Sequence, residues 1–250
     1  MLKIFKTEKF SRYEFKFLLS QNKANQIENE IKSFMILDEN ALNKKNKKYF
    51  VRSLYFDTPD YANFYEKVDG IKLRKKFRIR SYTNKKDEKS KLFLEMKGRK
   101  NQKTYKLRTK ILQEHLNFFS NQKNLFQLFQ YYPKENKVIN DFVFETLRKK
   151  IEPKIIVDYN RRPYINKFGL LFRLTFDTEL KSSTGQNIFD NDNNFNFKEF
   201  ASGKTILELK FERSIQPWFH RIIQNYNLKR VSVSKFCLAM ETANIALNLE

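Results

Sequence analysis

The sequence is poor in the residues on which several protein classes depend. Its 250 residues include one cysteine, Cys237, which excludes an internal disulfide and a metal site built from several thiolates. Five glycines and five prolines exclude collagen-like, proline-rich and glycine-rich architectures. The two histidines, His115 and His220, lie too far apart to offer the spacing of a metal-binding pair. No glycine-rich phosphate-binding loop is present, so a bound nucleotide would have to be held by side chains.

Long apolar runs are missing as well. No stretch approaches the ~18 consecutive apolar residues of a membrane span, and the first residues lack a signal-peptide core. We therefore expect a soluble protein of a reducing compartment, the cytoplasm. Hydrophobic residues make up 40% of the chain and aromatic residues 16%, which is enough for a packed core. Candidate strands near both ends and the absence of a linker-like segment predict one domain over residues 1–250.

The sequence is rich in positive charge. It has 50 Lys and Arg against 28 Asp and Glu, a formal net charge of +22. Such an excess calls for an anionic partner, and nucleic acid is the usual one. Nucleic acid is disfavoured here, because no nucleic-acid-binding motif is present and the basic segments lack the regular aromatic interleaving of a stacking platform.

Charged and apolar residues alternate with period two in several short segments, which is typical of a strand with one polar face. In the first segment Arg12, Glu14 and Lys16 alternate with aromatic residues, and in the second Arg78 and Arg80 alternate with Phe and Ile. The pattern predicts eight strands, within residues 12–17, 51–56, 76–82, 92–97, 106–111, 155–161, 171–177 and 207–212.

Helical periodicity fills much of the chain between these strands. The apolar spacing and the capping residues predict helices over residues 20–35, 58–67, 216–226 and 234–247, with two or three more within 113–150. Cys237 falls on the apolar face of the last of these, which predicts a buried structural role. The chain is therefore expected to be an α+β protein with an antiparallel sheet.

The charged faces of the strands allow two interpretations. They could form the solvated face of an open sheet, which is the usual arrangement. However, Arg and Lys dominate them at paired positions beside single Glu residues, and like charges on neighbouring strands repel unless an anion neutralises them. A closed barrel would put these charges inside a tunnel and the helices outside, and a polyphosphate or triphosphate group would suit such a tunnel. The few carboxylates among the cations, Glu208 above all, would then hold a bridging Mg²⁺ or Mn²⁺.

Several motifs, taken together, carry a family resemblance. They are R-x-E-x-K from Arg12, YFDTPD followed by R-x-R-x-Y from Arg78, E-x-K from Glu95, LELKFE and SVSKFCLAME. In order and spacing, over about residues 8 to 245, they resemble the triphosphate tunnel metalloenzymes, or CYTH superfamily. Within it they are most similar to the VTC domain of polyphosphate polymerases. The resemblance implies a closed antiparallel β-barrel with helices packed on the outside.

The resemblance also implies roles for individual residues. Those expected to bind and activate phosphate are Lys16, Arg78, Arg80, Lys97, Arg161 and Lys235. Further substrate contacts are expected from Arg12, Arg173, Lys210 and Tyr82. Glu208 would be a ligand of Mn²⁺ or Mg²⁺, whereas Glu14, Glu95 and Asp177 would position the cations or hold metal-bound water.

One departure from the wider superfamily bears on the reaction. The hydrolytic members of the superfamily have a pattern similar to E-x-E-x-K in the first strand, whereas Arg12 stands in place of the first Glu in this sequence. The loss of a carboxylate weakens the hold on a metal and on an attacking water, which favours a polymerase that transfers the terminal phosphate of ATP to polyphosphate or pyrophosphate. A metal-dependent triphosphatase and a non-catalytic polyphosphate-binding module remain the alternatives. Any coupling to a membrane would need a separate partner.

Overall fold

The computed structural model describes residues 8–247, apart from 88–89, 102, 169–170 and 190–194, with backbone only for 8–11. Ten strands lie in this part of the chain. They are β1 (Glu8–Ser20), β2 (Met35–Leu37), β3 (Tyr49–Asp57), β4 (Leu73–Ser81), β5 (Leu92–Lys100), β6 (Lys103–Ile111), β7 (Glu152–Asn166), β8 (Phe172–Thr184), β9 (Lys198–Glu199) and β10 (Lys204–Phe211).

Eight of the strands close into an antiparallel barrel. The pairing order is β7-β3-β4-β5-β6-β1-β10-β8, and β8 pairs back onto β7. β2 adds to β7 and β9 adds to β8 at the margins. The eight predicted strands and the α+β barrel are thereby confirmed. β2 and β9 were missed because three and two residues are too few to show a period.

Eight α-helices pack against the barrel in the part of the chain that the structure describes. They are α1 (Gln21–Ile31), α2 (Glu39–Leu42), α3 (Ala62–Val68), α4 (Leu116–Ser120), α5 (Leu128–Tyr131), α6 (Lys137–Lys149), α7 (Pro217–Asn225) and α8 (Lys235–Thr242). Short 3-10 helices cover Lys45–Lys47, Gln113–His115 and Gln122–Gln127. Among the described residues, none of the helices has the length and apolar character needed to cross a membrane.

Three predicted helices are shorter than expected, each for a local reason. The helix predicted over 20–35 ends at Ile31, because Met35 already pairs with β7. The helix predicted over 58–67 begins at Ala62, after a turn held by Asp57. The helix predicted over 234–247 ends at Thr242, since Asn244 has a positive φ of 54°.

The alternation along the strands separates an apolar outer face from a polar inner face. In β10, Leu207 and Leu209 belong to an outer cluster with residues of α1 and α7, whereas Glu208 and Lys210 point inward. On the opposite side of the barrel, Phe142 of α6 packs against aromatic rings of β3 and β4. Burial of these outer faces under helices is the main apolar contribution to the fold.

Part of the inner face is apolar as well, and α8 covers it. Ile206 lies two residues before Glu208 on β10 and joins a buried cluster with Val157 of β7 and Phe236 of α8. Cys237 belongs to the same cluster and is buried, as its position in the apolar pattern predicted. This packing brings the first residue of α8, Lys235, to the polar part of the barrel interior.

Candidate functional site

A cavity of about 430 Å³ occupies the polar part of the barrel interior. The strands form most of its wall, and residues 230–236, which lead into α8, form another part. Among the described residues, only two of the side chains that line it are acidic, Glu14 and Glu208. The basic side chains that line it are Arg12, Lys16, Lys67, Arg74, Lys76, Arg78, Arg80, Lys97, Arg99, Lys106, Arg161, Lys210, Arg230 and Lys235.

On one wall, Glu95 holds cations from the two neighbouring strands. The sheet register places Arg78 of β4 opposite Glu95 of β5. Arg78 donates from Nε at 2.8 Å, Lys106 donates at 3.0 Å, and Nη1 of Arg80 lies 3.8 Å away. Burial raises the pKa of Glu95, but the three cations together hold it well below its usual range. Glu95 is therefore ionised and fixes the direction in which Arg78 faces the cavity.

Hydroxyl groups complete the positioning of the two arginines on this wall. Arg78 donates to the Tyr55 hydroxyl at 2.7 Å. Arg80 donates to Ser53 Oγ at 3.2 Å and to the Tyr159 hydroxyl at 3.1 Å. These neutral partners orient the guanidinium groups without cancelling their charge, which leaves it available to an anionic ligand.

On the opposite wall, two carboxylates share a set of cations. Asp177 is completely buried and accepts a bidentate pair from Arg161 at 2.7 and 2.6 Å. Glu208 accepts from Lys235 at 2.7 Å and lies 2.7 Å from the Lys210 ammonium. Burial raises the pKa of Glu208, but the surrounding cations lower it well below its usual range. Lys235 touches both carboxylates, which raise its pKa against the effect of burial.

A third group lies between these walls on β1. The Glu14 carboxylate accepts from Lys97 at 3.0 Å and lies 3.4 Å from the Lys16 ammonium. Lys16 donates to the carbonyl of Val233 at 2.8 Å and lies 3.9 Å from Glu208. Burial raises the pKa of Glu14, but Lys97 and Lys16 lower it below its usual range. Lys16 is therefore held between the carboxylates of Glu14 and Glu208, and its hydrogen bond to Val233 joins β1 to the segment that precedes α8.

The structure brings most of the site residues predicted from the sequence to one cavity. Glu95 and Asp177 differ: both are fully buried behind the cations that they hold and lie outside the lining. The predicted site residues that line the cavity are Arg12, Glu14, Lys16, Arg78, Arg80, Lys97, Arg161, Glu208, Lys210 and Lys235.

Two expected substrate contacts lie elsewhere. Tyr82 follows the last residue of β4, is 39% exposed, and packs against the rings of Tyr49 and Phe93. Arg173 lies 2.9 Å from Asp38, which caps α2, and is outside the cavity lining. The structure does not bring these two residues to the cavity lining, because a motif does not reveal where a strand ends or which charge lies beside it, and their contact with substrate stays a prediction.

Several lining residues were not predicted as site residues. Lys106, Lys76 and Arg74 continue the same alternation on β6 and β4, so the period-two pattern could have identified them. Lys67 of α3 and Arg230 before α8 carry no such signal, because only the tertiary fold brings these segments to the barrel.

The carboxylates differ in how well they suit a divalent cation. The described residues contain no group of three or more His, Cys, Asp and Glu placed to hold a metal ion. Glu14 and Glu208 both line the cavity, on either side of Lys16, and Mg²⁺ or Mn²⁺ commonly takes one or two carboxylates together with substrate phosphates. These two residues fit such a role. Glu95 and Asp177 do not, since both are fully buried behind the cations that they hold and lie outside the cavity lining.

The fold and the cavity together define a class of protein: a closed antiparallel barrel whose interior collects cations around a few paired carboxylates. The model of the VTC domain family matches residues 11–244, and the chain belongs to this family. Its fold is the triphosphate tunnel fold expected from the sequence.

Solved structures of similar fold are distant in sequence. A Bacillus halodurans protein assigned as an adenylate cyclase is 12% identical with a TM-score of 0.51, over 90% of this chain and 95% of that one. A Hippeastrum protein assigned as an adenylyl cyclase, with a dominant triphosphatase activity, is 14% identical with a TM-score of 0.49, over 96% of this chain and 98% of that one. At 12% identity the likeness to the Bacillus halodurans structure shows the fold alone. The comparison with curated proteins finds no match.

Proposed function

We propose that this chain is a phosphotransferase of the polyphosphate polymerase type, with a single tunnel domain over residues 1–250. It would transfer the terminal phosphate of ATP to polyphosphate or pyrophosphate inside the barrel, in the cytoplasm, with any membrane contact supplied by a separate partner. The observation that carries the proposal is the lining of the cavity, where cations from strands, helices and a loop surround a space of about 430 Å³. A phosphate chain has the charge density to pair with many of them at once.

Phosphoryl transfer of this kind needs little help from a general base. The transition state of phosphoryl transfer is loose and its charge is spread over the equatorial oxygens, so positioned cations can supply most of the catalysis. Arg78, Arg80 and Arg161 offer planar forks to those oxygens, and Lys16 and Lys97 add point charges. Glu95 and Asp177 would contribute by holding arginines in place before the substrate arrives.

Glu208 and Glu14 are the residues that would hold Mn²⁺ or Mg²⁺ with the substrate phosphates. When bound, the ion would supply further neutralisation of charge on the phosphoryl group. Lys16, between these two carboxylates, and Lys235, against Glu208, would keep them ionised and oriented. Lys210 and Arg12 line the same cavity and add to its positive potential.

A metal-dependent triphosphatase is the second candidate, and the exposure of the cavity favours it. The Lys97 side chain is 38% exposed although it lines the cavity, so solvent can reach a bound triphosphate there. Water would then compete with a phosphate chain as the acceptor. Arg12 argues for the polymerase, because it places a cation where a carboxylate would help to hold attacking water.

The products formed from ATP distinguish these candidates. The purified protein is incubated with ATP and Mn²⁺ or Mg²⁺, the products are resolved on a gel, and released orthophosphate is measured. Long phosphate chains are the expected result. Orthophosphate alone would indicate the triphosphatase. Intact ATP with several divalent metals, in a protein that still binds polyphosphate, would contradict both and indicate a non-catalytic binding module.

A further inference from the structure

Lys76 is a cavity residue whose ammonium has no polar partner among the described residues. It lies on β4 between Arg74 and Arg78, and all three line the cavity. Its Nζ atom is buried and makes no hydrogen bond within the part of the chain that the structure describes. It faces the ring of Phe236 in α8, at 4.1 Å from the ring centroid. An aromatic face attracts a cation but cannot replace the hydrogen bonds that the ammonium makes in water.

Neighbouring cations of the cavity are better satisfied. Arg78 and Lys106 hold Glu95, Lys97 holds Glu14, and Lys235 bridges two carboxylates. These side chains have anionic partners before any ligand binds. Lys76 therefore carries a burial cost that the described structure leaves uncompensated.

The surroundings of Lys76 favour loss of its proton. Burial lowers the pKa of Lys76 to about 8. Cys237 of α8 and Asp57 and Tyr55 of β3 act in the opposite direction, whereas Arg74 lowers the pKa further. Asp57 is engaged elsewhere, since its carboxylate accepts hydrogen bonds from backbone N–H groups. The register partner of Lys76 on β5 is Lys97, which adds a cation.

We propose that Lys76 is a further phosphate-binding residue, whose ammonium gains its missing hydrogen-bond partner from the bound phosphate chain, so that chain binding takes up a proton at this position. The ligand class rests on the proposed function. Residues at i and i+2 of a strand are about 6.6 Å apart, so Arg80, Arg78, Lys76 and Arg74 form a row about 20 Å long. A chain that follows this row passes Lys76.

Calorimetry of polyphosphate binding can detect this proton. Medium-chain inorganic polyphosphate is titrated into the protein at about pH 9, in two buffers of different ionisation enthalpy, which gives the number of protons taken up. With a pKa of about 8, Lys76 is mostly deprotonated at that pH. The wild type should therefore take up a substantial fraction of one proton more than Lys76→Met, and Lys76→Met should bind more weakly.

Two further variants separate the proton from other effects. Lys76→Arg keeps the charge but cannot lose its proton, so it should retain binding and lose this part of the uptake. Lys75→Met removes the same charge from the adjacent residue, which faces Glu145 of α6 at 2.7 Å outside the cavity, and should behave as wild type. If the wild type and Lys76→Met bind equally well with equal uptake, the role of Lys76 is overturned while the proposed function stands. If the wild type does not bind polyphosphate, the proposed function itself is overturned, and this proposal with it.

Discussion

The Glu208 carboxylate faces the cavity, unlike the buried carboxylates of Glu95 and Asp177. Glu95 and Asp177 lie behind the cations that they hold, whereas Glu208 lines the cavity and faces Lys210 and Lys235. A carboxylate in this position can meet both the cations of the protein and an ion carried by the substrate. At the scale of single residues, therefore, binding and catalysis should be separable.

We expect Glu208→Gln to bind polyphosphate at least as well as the wild type and to react much more slowly. The amide keeps the shape of the side chain but loses the charge that would hold a divalent cation. Turnover of ATP should fall on the order of 10²-fold. The control is Glu145→Gln, which changes an ion-paired, buried carboxylate on the outer side of the barrel and should leave turnover unchanged. Equal turnover by Glu208→Gln and the wild type would remove Glu208 from the mechanism.

Substitutions of Arg78 and Arg80 can separate an effect on polyphosphate affinity from an effect on the stability of the fold. Arg78 is the direct partner of the fully buried Glu95, whereas Arg80 lies 3.8 Å from it. Both Arg78→Ala and Arg80→Ala should weaken polyphosphate binding. Arg78→Ala should also destabilise the fold by about 3 kcal/mol, because it deprives a buried charge of its main partner. Thermal melting and calorimetry measure the two effects, and similar melting temperatures for the two variants would contradict the assigned pairing.

At the scale of secondary structure, the turn after β3 shows how a sequence motif serves the fold. Asp57, within YFDTPD, accepts backbone hydrogen bonds from Thr58 at 2.7 Å, Asn63 at 2.8 Å and Phe64 at 3.1 Å. Its carboxylate therefore satisfies the free N–H groups at the start of α3, which has no cap from Tyr61. This role keeps Asp57 out of the chemistry of the cavity.

Asp57→Ala should lower the free energy of unfolding by about 2 kcal/mol, since it leaves several buried N–H groups without acceptors. The control is Asp60→Ala in the same turn, where the carboxylate is exposed and the melting temperature should stay close to that of the wild type. Chemical denaturation of the two variants measures the difference. Equal stability would show that the turn does not depend on this carboxylate.

Most of the elements could be predicted, because the period-two alternation directly reflects a barrel with an apolar outside and a charged inside. Other features could not be predicted from the sequence, because they depend on strand length, burial or packing. β2 and β9 are too short to show a period, and Arg52, fully buried in a bidentate pair with Asp158, looks like any other strand cation in the sequence. Tyr82 lies outside the cavity lining because β4 ends one residue earlier. The contributions of Lys67 and Arg230 to the cavity depend on how α3 and the segment before α8 pack.

Over the whole molecule, the net charge of +22 is not spread evenly over the outer surface. Many cations line the cavity, and the four carboxylates that pair with them, Glu14, Glu95, Asp177 and Glu208, relieve their mutual repulsion only in part. A narrow, flexible anion can reach this space, whereas a duplex can meet only the outer surface. The response of the protein to different anions should therefore depend on their shape as well as their charge.

Polyphosphate should raise the melting temperature well beyond sulfate at equal ionic strength, because one chain neutralises several interior cations at once. Duplex DNA should give a smaller shift than polyphosphate at the same phosphate concentration. Arg80→Ala should reduce the shift by polyphosphate, whereas the outward-facing Lys75→Met should not. A larger shift from DNA than from polyphosphate would place the anionic partner on the outer surface.

A crystal structure with polyphosphate and Mn²⁺ would show whether a phosphate chain binds inside the barrel with its reactive end near Glu208. We predict phosphate density along Arg80, Arg78 and Lys76 and an anomalous Mn²⁺ signal beside Glu208. Density confined to the outer surface of the barrel, with the cavity free of phosphate at saturating concentration, would exclude binding inside the barrel.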